Sequence, residues 1–290
     1  SCSMSDSASL SSGSAVFPSL FISHGSPMFA LEPGQAGAAL RTLGQTLPRP
    51  RAVLVLSPHW MTRNLQAGSH PAPSTIHDFG GFPEALYQLQ YPAPGAPKEL
   101  LDHLVGMLAA HQVPLQLEPE AGLDHGVWVP LMHLYPEADV PVLHLSFPSH
   151  LTPEKADALG RMLASLRAPR VFILGSCCLT HTMRDFFYGS DDTGYVAAFV
   201  QWMTDTLEQG DTAALIDYRA RAPSADRSHP TDEHLLPLLV LALVVAAACI
   251  VLLLGVGLAA LLIGVLAKIA GTWLAVVVCL VVVVWSLKFE

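Results

Sequence analysis

Short apolar runs that end in polar or Gly-rich turns recur along the chain: SLFISHGSP, RAVLVLSPHW, VPVLHLSFPSH and PRVFILGSCCLTH. Each has the length and composition of a buried strand that delivers polar side chains at its end. Between these runs, Gly34 to Leu47, Lys98 to His111 and Pro153 to Leu166 place apolar residues at helical spacing. Thr152 and Pro153 supply the last of them with an N-cap and a first helical position. Alternating strands and helices predict an α/β fold with a central, mostly parallel or mixed sheet flanked by helices and an active site in the loops at the strand ends. No fixed-period repeat is present, and the Pro-rich QYPAPGAPKE stretch reads as a surface loop before a helix.

Composition divides the chain. Hydrophobic residues make up 51% and charged residues 13%, too apolar for an ordinary soluble domain. The excess is concentrated, because from Leu235 to Glu290 the only charges are Lys268, Lys288 and Glu290. Three regions follow. Residues 1–15 are a Ser-rich leader or scar with neither the basic nor the apolar part of a secretory signal. Residues 16–239 have the mixed composition of a catalytic domain. Residues 240–290 are strongly apolar, and the charge-free runs Leu235 to Ala267 and Ile269 to Leu287 each reach the roughly 20 residues a bilayer span requires. That tail reads as a membrane hairpin turning at Lys268, as sequence not native to the chain, or as a buried helix and strand pair. Membrane association therefore depends on it.

A net charge of −9 and the lack of a Lys/Arg cluster argue against nucleic acid as a partner, since that affinity comes from neutralising phosphates. The five cysteines contain no CxxC pair. Adjacent Cys177 and Cys178 would bridge only with strain, so no disulfide framework is implied and a reducing, cytoplasmic setting is expected.

The candidate chemistry lies in the 13 histidines. His70, His103, His111, His133, His144 and His150 are read as hydrogen-bonded core or surface residues. His24, His59, His125, His181, His229 and His234 differ in sitting beside Gly, Pro or polar residues in turns, where chemistry is usually carried. Neutral imidazoles from separate loops suit a divalent first-row metal, and three ligands with open positions make a reactive site. His24 and His59 are the better-placed pair. His234 and His229 compete for the third position, with His234 favoured and Asp232 and Glu233 as carboxylate competitors. Thr231 is expected to cap a helix starting near Asp232, which would put His234 in its first turn. His125 and His181 are placed for proton transfer near neutral pH, against a bland reading in which each makes a structural hydrogen bond.

Six ordered segments sharpen this picture: FISHGSP around His24, SPHW (Ser57 to Trp60), TIHDFGGFPEALYQLQYPAPG (Thr75 to Gly95), LDHGVWVPL (Leu123 to Leu131), LGSCCLTH (Leu174 to His181) and APSADRSHPTDEHLLPLL (Ala222 to Leu239). Together they resemble the DOPA 4,5-dioxygenase family of class III extradiol ring-cleaving dioxygenases, related to the catalytic subunit of protocatechuate 4,5-dioxygenase. The resemblance implies a mononuclear Fe(II) cofactor, with Zn(II) as a substitute in purified protein, and O2-dependent opening of a small catechol. It implies metal ligation by His24, His59 and a histidine of the HPTDEH segment, acid-base roles for His181 and His125, and a pocket-bordering loop with Thr75, His77 and Asp78. A homo-oligomer is compatible with it. This chain departs from the pattern in having Cys177 and Cys178 where relatives carry small residues, and Thr182 where Asn is expected. Two other readings stand beside it: a zinc-dependent hydrolase, although no HExxH motif is present, and a metal-free binding protein on the same fold.

Overall fold

The apolar runs form strands because β-branched and leucine side chains alternate between two buried faces. The structure, a computed structural model, describes residues 17, 19–167, 170–182, 185, 194–243, 250–252 and 277–280. Strand β1 (Ser19–Ser23) is followed by a short 3-10 turn and helix α1 (Gly34–Thr46). Then come β2 (Ala52–Thr62), β3 (Gln66–Gly68), α2 (Glu84–Tyr87), α3 (Lys98–Ala110), β4 (Gln116–Glu118), α4 (His125–Leu134), β5 (Val142–Pro148), α5 (Pro153–Leu163) and β6 (Val171–Cys177). Helix α6 (Gly194–Gln209), the short α7 (Thr212–Ile216), α8 (Tyr218–Arg221) and α9 (Ala225–Ser228), and α10 (Leu236–Leu243) lead to β7 (Ile250–Leu252) and β8 (Val277–Leu280).

The strands make one eight-stranded sheet in the order β4-β3-β5-β2-β6-β1-β8-β7. Every pairing is parallel except β3 with β5. Within β2, Leu54 and Leu56 enter one core with Leu104, Leu163, Phe199 and Leu239. Val53 and Val55 enter the other with Leu40, Leu43 and Trp128. Both faces of the sheet are thus covered, as parallel strands require. Thr152 caps α5 by accepting from the Lys155 N–H, and α1 and α3 run as their apolar spacing predicts.

Two local expectations are corrected. His59 is not beyond a strand end but inside β2, where the pairing with β5 shifts register between Leu56 and Met61. The irregularity releases the side chains there from strict alternation. Thr231 does not cap a helix: its hydroxyl donates to Glu233 Oε1 at 2.6 Å, and α10 begins at Leu236. Pro237 suits a first helical turn, where its missing N–H costs nothing, so His234 lies in the turn just ahead of the helix.

The leader 1–15 lies outside the described residues, as does most of 240–290. Of the apolar tail, β7 and β8 extend the sheet, with β8 parallel to β1. Among the described residues no helix is long and apolar enough to cross a membrane.

Candidate metal centre

Parallel β1, β2 and β6 lie side by side, so their C-terminal ends present side chains to one place. Ser23 pairs with Cys177, and the His24 N–H donates to the Cys177 carbonyl at 2.9 Å. His24 is fully buried. Its Nδ1 is 2.9 Å from Ser176 Oγ, while its Nε2 is buried without a hydrogen-bond partner. With Nδ1 donating to Ser176, the Nε2 lone pair is left for a Lewis acid. A buried orphan of this kind costs free energy unless something fills the role.

Near His24 the structure gathers other donors. Ring nitrogens of His24, His59 and His125 lie within 4.8 Å of one another, as do donor atoms of His59, Cys177 and His234. His59 belongs to both groups. Its ring centre is 4.0 Å from that of His125 and 5.7 Å from that of His234. The His181 ring stacks on His234 at 3.5 Å with planes 6° apart.

Burial governs their charge. Desolvation, reinforced by neighbouring imidazoles, holds His24 well below its ordinary value. Desolvation likewise lowers His59, His181 and His234 to about 4. At neutral pH all four are neutral imidazoles with a lone pair to offer, the state that a metal or a mobile proton needs. The donor set therefore fits a divalent cation.

His125 sits at the first turn of α4. Its N–H donates to Asp78 Oδ1 at 2.9 Å, and its Nδ1 lies 2.9 Å from Asp78 Oδ2. A carboxylate there can only accept, so Nδ1 carries the proton and Nε2 is the nitrogen free for exchange. Burial pushes the Asp78 carboxyl up, but its bonds and charge contact with His125 outweigh that and hold it low.

The other expected pocket residues are occupied in holding the loop. Thr75 Oγ1 accepts from the Tyr91 N–H at 2.9 Å. His77 donates from Nε2 to the Leu89 carbonyl at 3.0 Å and packs its ring against Phe79, Tyr87 and Trp128. His229 is fully buried, with Nε2 donating to the Leu179 carbonyl at 2.7 Å. It supports the Leu179 to His181 turn, and neither ligand group contains it.

Sequence reasoning missed a layer behind the histidines. Asp124, one residue before His125, caps α4 through the Gly126 N–H at 2.8 Å and accepts from Ser57 Oγ at 2.7 Å. Its other oxygen is 3.2 Å from His144 Nε2, and His144 Nδ1 donates to the Gly122 carbonyl at 3.1 Å. Burial opposes ionisation of Asp124, yet His144, His59 and the Ser57 hydroxyl hold its carboxyl well below the usual range. The one available signal was the Asp preceding His125 at a helix start. His144 carried none, being one apolar-flanked histidine among several. Cys177 entered the reading as a departure from the family pattern, not as a donor.

Fold and site together define an α/β enzyme with a histidine-lined centre able to hold a metal ion. Residues 18–248 match the family described as the catalytic LigB subunit of aromatic ring-opening dioxygenase, and the chain belongs to that family. It is 40% identical over 232 residues to the 4,5-DOPA dioxygenase extradiol of Escherichia coli K12, covering 77% of this chain and 83% of that one. The Beta vulgaris protein of the same name is 39% identical over 223 residues, covering 75% and 83%. A crystal structure of an uncharacterized Escherichia coli K12 protein superposes with a TM-score of 0.60 at 32% identity, covering 72% of this chain and 81% of that chain. The chain is therefore an extradiol ring-cleaving dioxygenase, an oxidoreductase.

Proposed function

We propose that this enzyme opens the ring of a small DOPA-like catechol with O2 at a mononuclear Fe(II) centre held by His24, His59 and His234. The observation that carries the reading is the unpartnered, buried His24 Nε2 facing a cluster of neutral imidazoles. Fe(II) held by these three imidazoles would supply a shared binding point and an electron path for the catechol and O2, lowering the orientation cost of the reaction. Zn(II) would occupy the same imidazoles without supporting oxygen chemistry.

The chain's own residues then do the following. His181, neutral at pH 7 and stacked on His234, takes the second phenolic proton at its ring nitrogen. His125, fixed by Asp78 through Nδ1, takes the first phenolic proton at its free Nε2 and later returns it from the same atom. His77 and Phe79 form an aromatic wall beside His125, whose ring centre is 5.7 Å from that of Phe79, and keep water from the reacting ring. Thr75 fixes the loop that carries them, while His229 holds the turn bearing His181.

The test is anaerobic Fe(II) reconstitution followed by O2 uptake and visible absorbance with DOPA, protocatechuate and plain catechol. A coloured ring-opened product, lost in His59→Ala and His181→Ala, is the expected result. Stoichiometric Fe(II) binding with no product from any catechol would overturn the substrate class.

A further inference from the structure

Cys177 is the buried last residue of β6, pinned by its pairing with Ser23 and by the His24 N–H on its carbonyl. Its Sγ and ring nitrogens of His59 and His234 all lie within 4.8 Å of one another. Cys178 has its Sγ 3.8 Å from the Gly25 carbonyl and hydrogen-bonds the Cys177 thiol, and neither thiol is in a disulfide. A tetrahedral ion with metal–N of about 2.0–2.1 Å and metal–S of about 2.3 Å places its ligand atoms roughly 3.3–3.6 Å apart. The donors are therefore within about 1.5 Å of closing on such an ion, a displacement that small rotations of two imidazoles can supply.

We propose that Cys177 is a metal ligand of this chain, and that His59, Cys177 and His234 together take a thiophilic divalent cation. This rests on the reading of the histidine cluster as a metal centre. As the sulfur–metal bond forms, the thiol proton leaves to solvent and no electron is transferred. A thiolate brings one negative charge that an all-imidazole set lacks, and its softness favours Zn(II) or Co(II) over Fe(II). Because His59 and His234 are common to this set and to the proposed Fe(II) set with His24, the two compete, and the thiolate set governs which metal the protein retains.

The experiment is anaerobic Co(II) titration of the full-length metal-free protein, read by absorbance, with X-ray absorption on the Zn(II)-loaded wild type. A near-ultraviolet thiolate-to-cobalt charge-transfer band is expected beside the visible bands, together with a sulfur shell at about 2.3 Å around zinc. Cys178→Ser keeps the band. Cys177→Ser and Cys177→Ala lose it, and their Zn(II) dissociation constant rises by roughly 10- to 100-fold or more. Visible cobalt bands without the near-ultraviolet band, and zinc with nitrogen and oxygen neighbours alone, would overturn the proposal and leave the histidine centre standing. Loss of the band in Cys178→Ser would equally overturn the assignment. No binding of either ion would overturn both readings. The wild-type measurements decide the matter even if a Cys177 variant fails to fold.

Discussion

The rings of His181 and His234 lie face to face at 3.5 Å with planes only 6° apart, although one leaves β6 and the other precedes α10. Two imidazoles so close cannot both be cations; burial, followed by repulsion from His234 in the case of His181 and from His59 in the case of His234, lowers each to about 4. The pair separates two proposed roles that a single deletion would blur. His234→Ala should abolish stoichiometric metal binding. His181→Ala should keep the metal while turnover falls by about 10²- to 10⁴-fold, the usual worth of a positioned acid or base. Metal analysis alongside kcat distinguishes them, and equal loss of metal in both variants would sink the division of labour.

Asp78 holds His125 through two bonds, one to the backbone N–H and one to Nδ1, both at 2.9 Å. Asp78→Asn keeps the shape but replaces a charged acceptor with an amide that can present a donor to Nδ1. Turnover should fall by roughly 10- to 100-fold, as for other residues that orient a working histidine, with metal content unchanged. O2 uptake on metal-reconstituted protein measures it. Wild-type turnover in this variant would mean that His125 needs no orienting carboxylate.

The frame of this site was readable in the chain where one local rule dominated. Runs such as VLVLSP and VFILGS have both faces buried and therefore declare themselves as strands, and Thr152 with Pro153 declares a helix start. His24 and His181 follow such strands and were placed by that logic alone. What escaped depended on contacts far apart in sequence. Asp124 meets Ser57 and His144 only after β2, β5 and α4 are assembled, and nothing in the flanking residues of His144 marks it as different from His133. His59 was placed one step off because a register shift is a property of the pairing with β5, not of SPHW itself. The capping role expected of Thr231 is not realised because its hydroxyl donates to a nearer acceptor, the Glu233 carboxylate.

Stability should fall with acid in a definite window. His59, His181, His229 and His234 each stand at about 4 in the folded chain, with burial the leading cause, against about 6.5 for a free imidazole. The folded values are depressed, so between pH 6.5 and 4 the unfolded chain binds more protons than the folded one. The free energy of unfolding therefore drops as pH falls through that window, and above it these groups cost nothing. Urea unfolding of the metal-free protein should show a midpoint that declines from pH 7 to pH 5, with net uptake of more than one proton on unfolding. A flat midpoint across that range would contradict neutral burial of the cluster.

Gly160 offers a way to disturb His234 without touching it. It lies in α5 where α10 crosses, and a Cβ built on it would sit 2.1 Å from the Val240 carbonyl oxygen, far inside any tolerable contact. Helix α10 begins two residues after His234, and the turn joining them is held by the Leu235 and Leu236 N–H groups on the Asp232 carbonyl. Asp232 is in turn gripped by Tyr218 and Arg219. Gly160→Ala must push α10 outward against that anchored turn, at a cost of about 1–3 kcal/mol for overpacking. The displaced helix should also loosen His234, so metal affinity should fall along with the urea midpoint. Gly106→Ala makes the control, because nothing lies within 4 Å of its added Cβ, and removing a helical glycine should leave metal affinity unchanged while stability rises by roughly 0.5–1 kcal/mol. If Gly160→Ala lowered the midpoint but bound metal like wild type, the α5–α10 contact would serve the core alone, and His234 would owe its position to the Asp232 anchor.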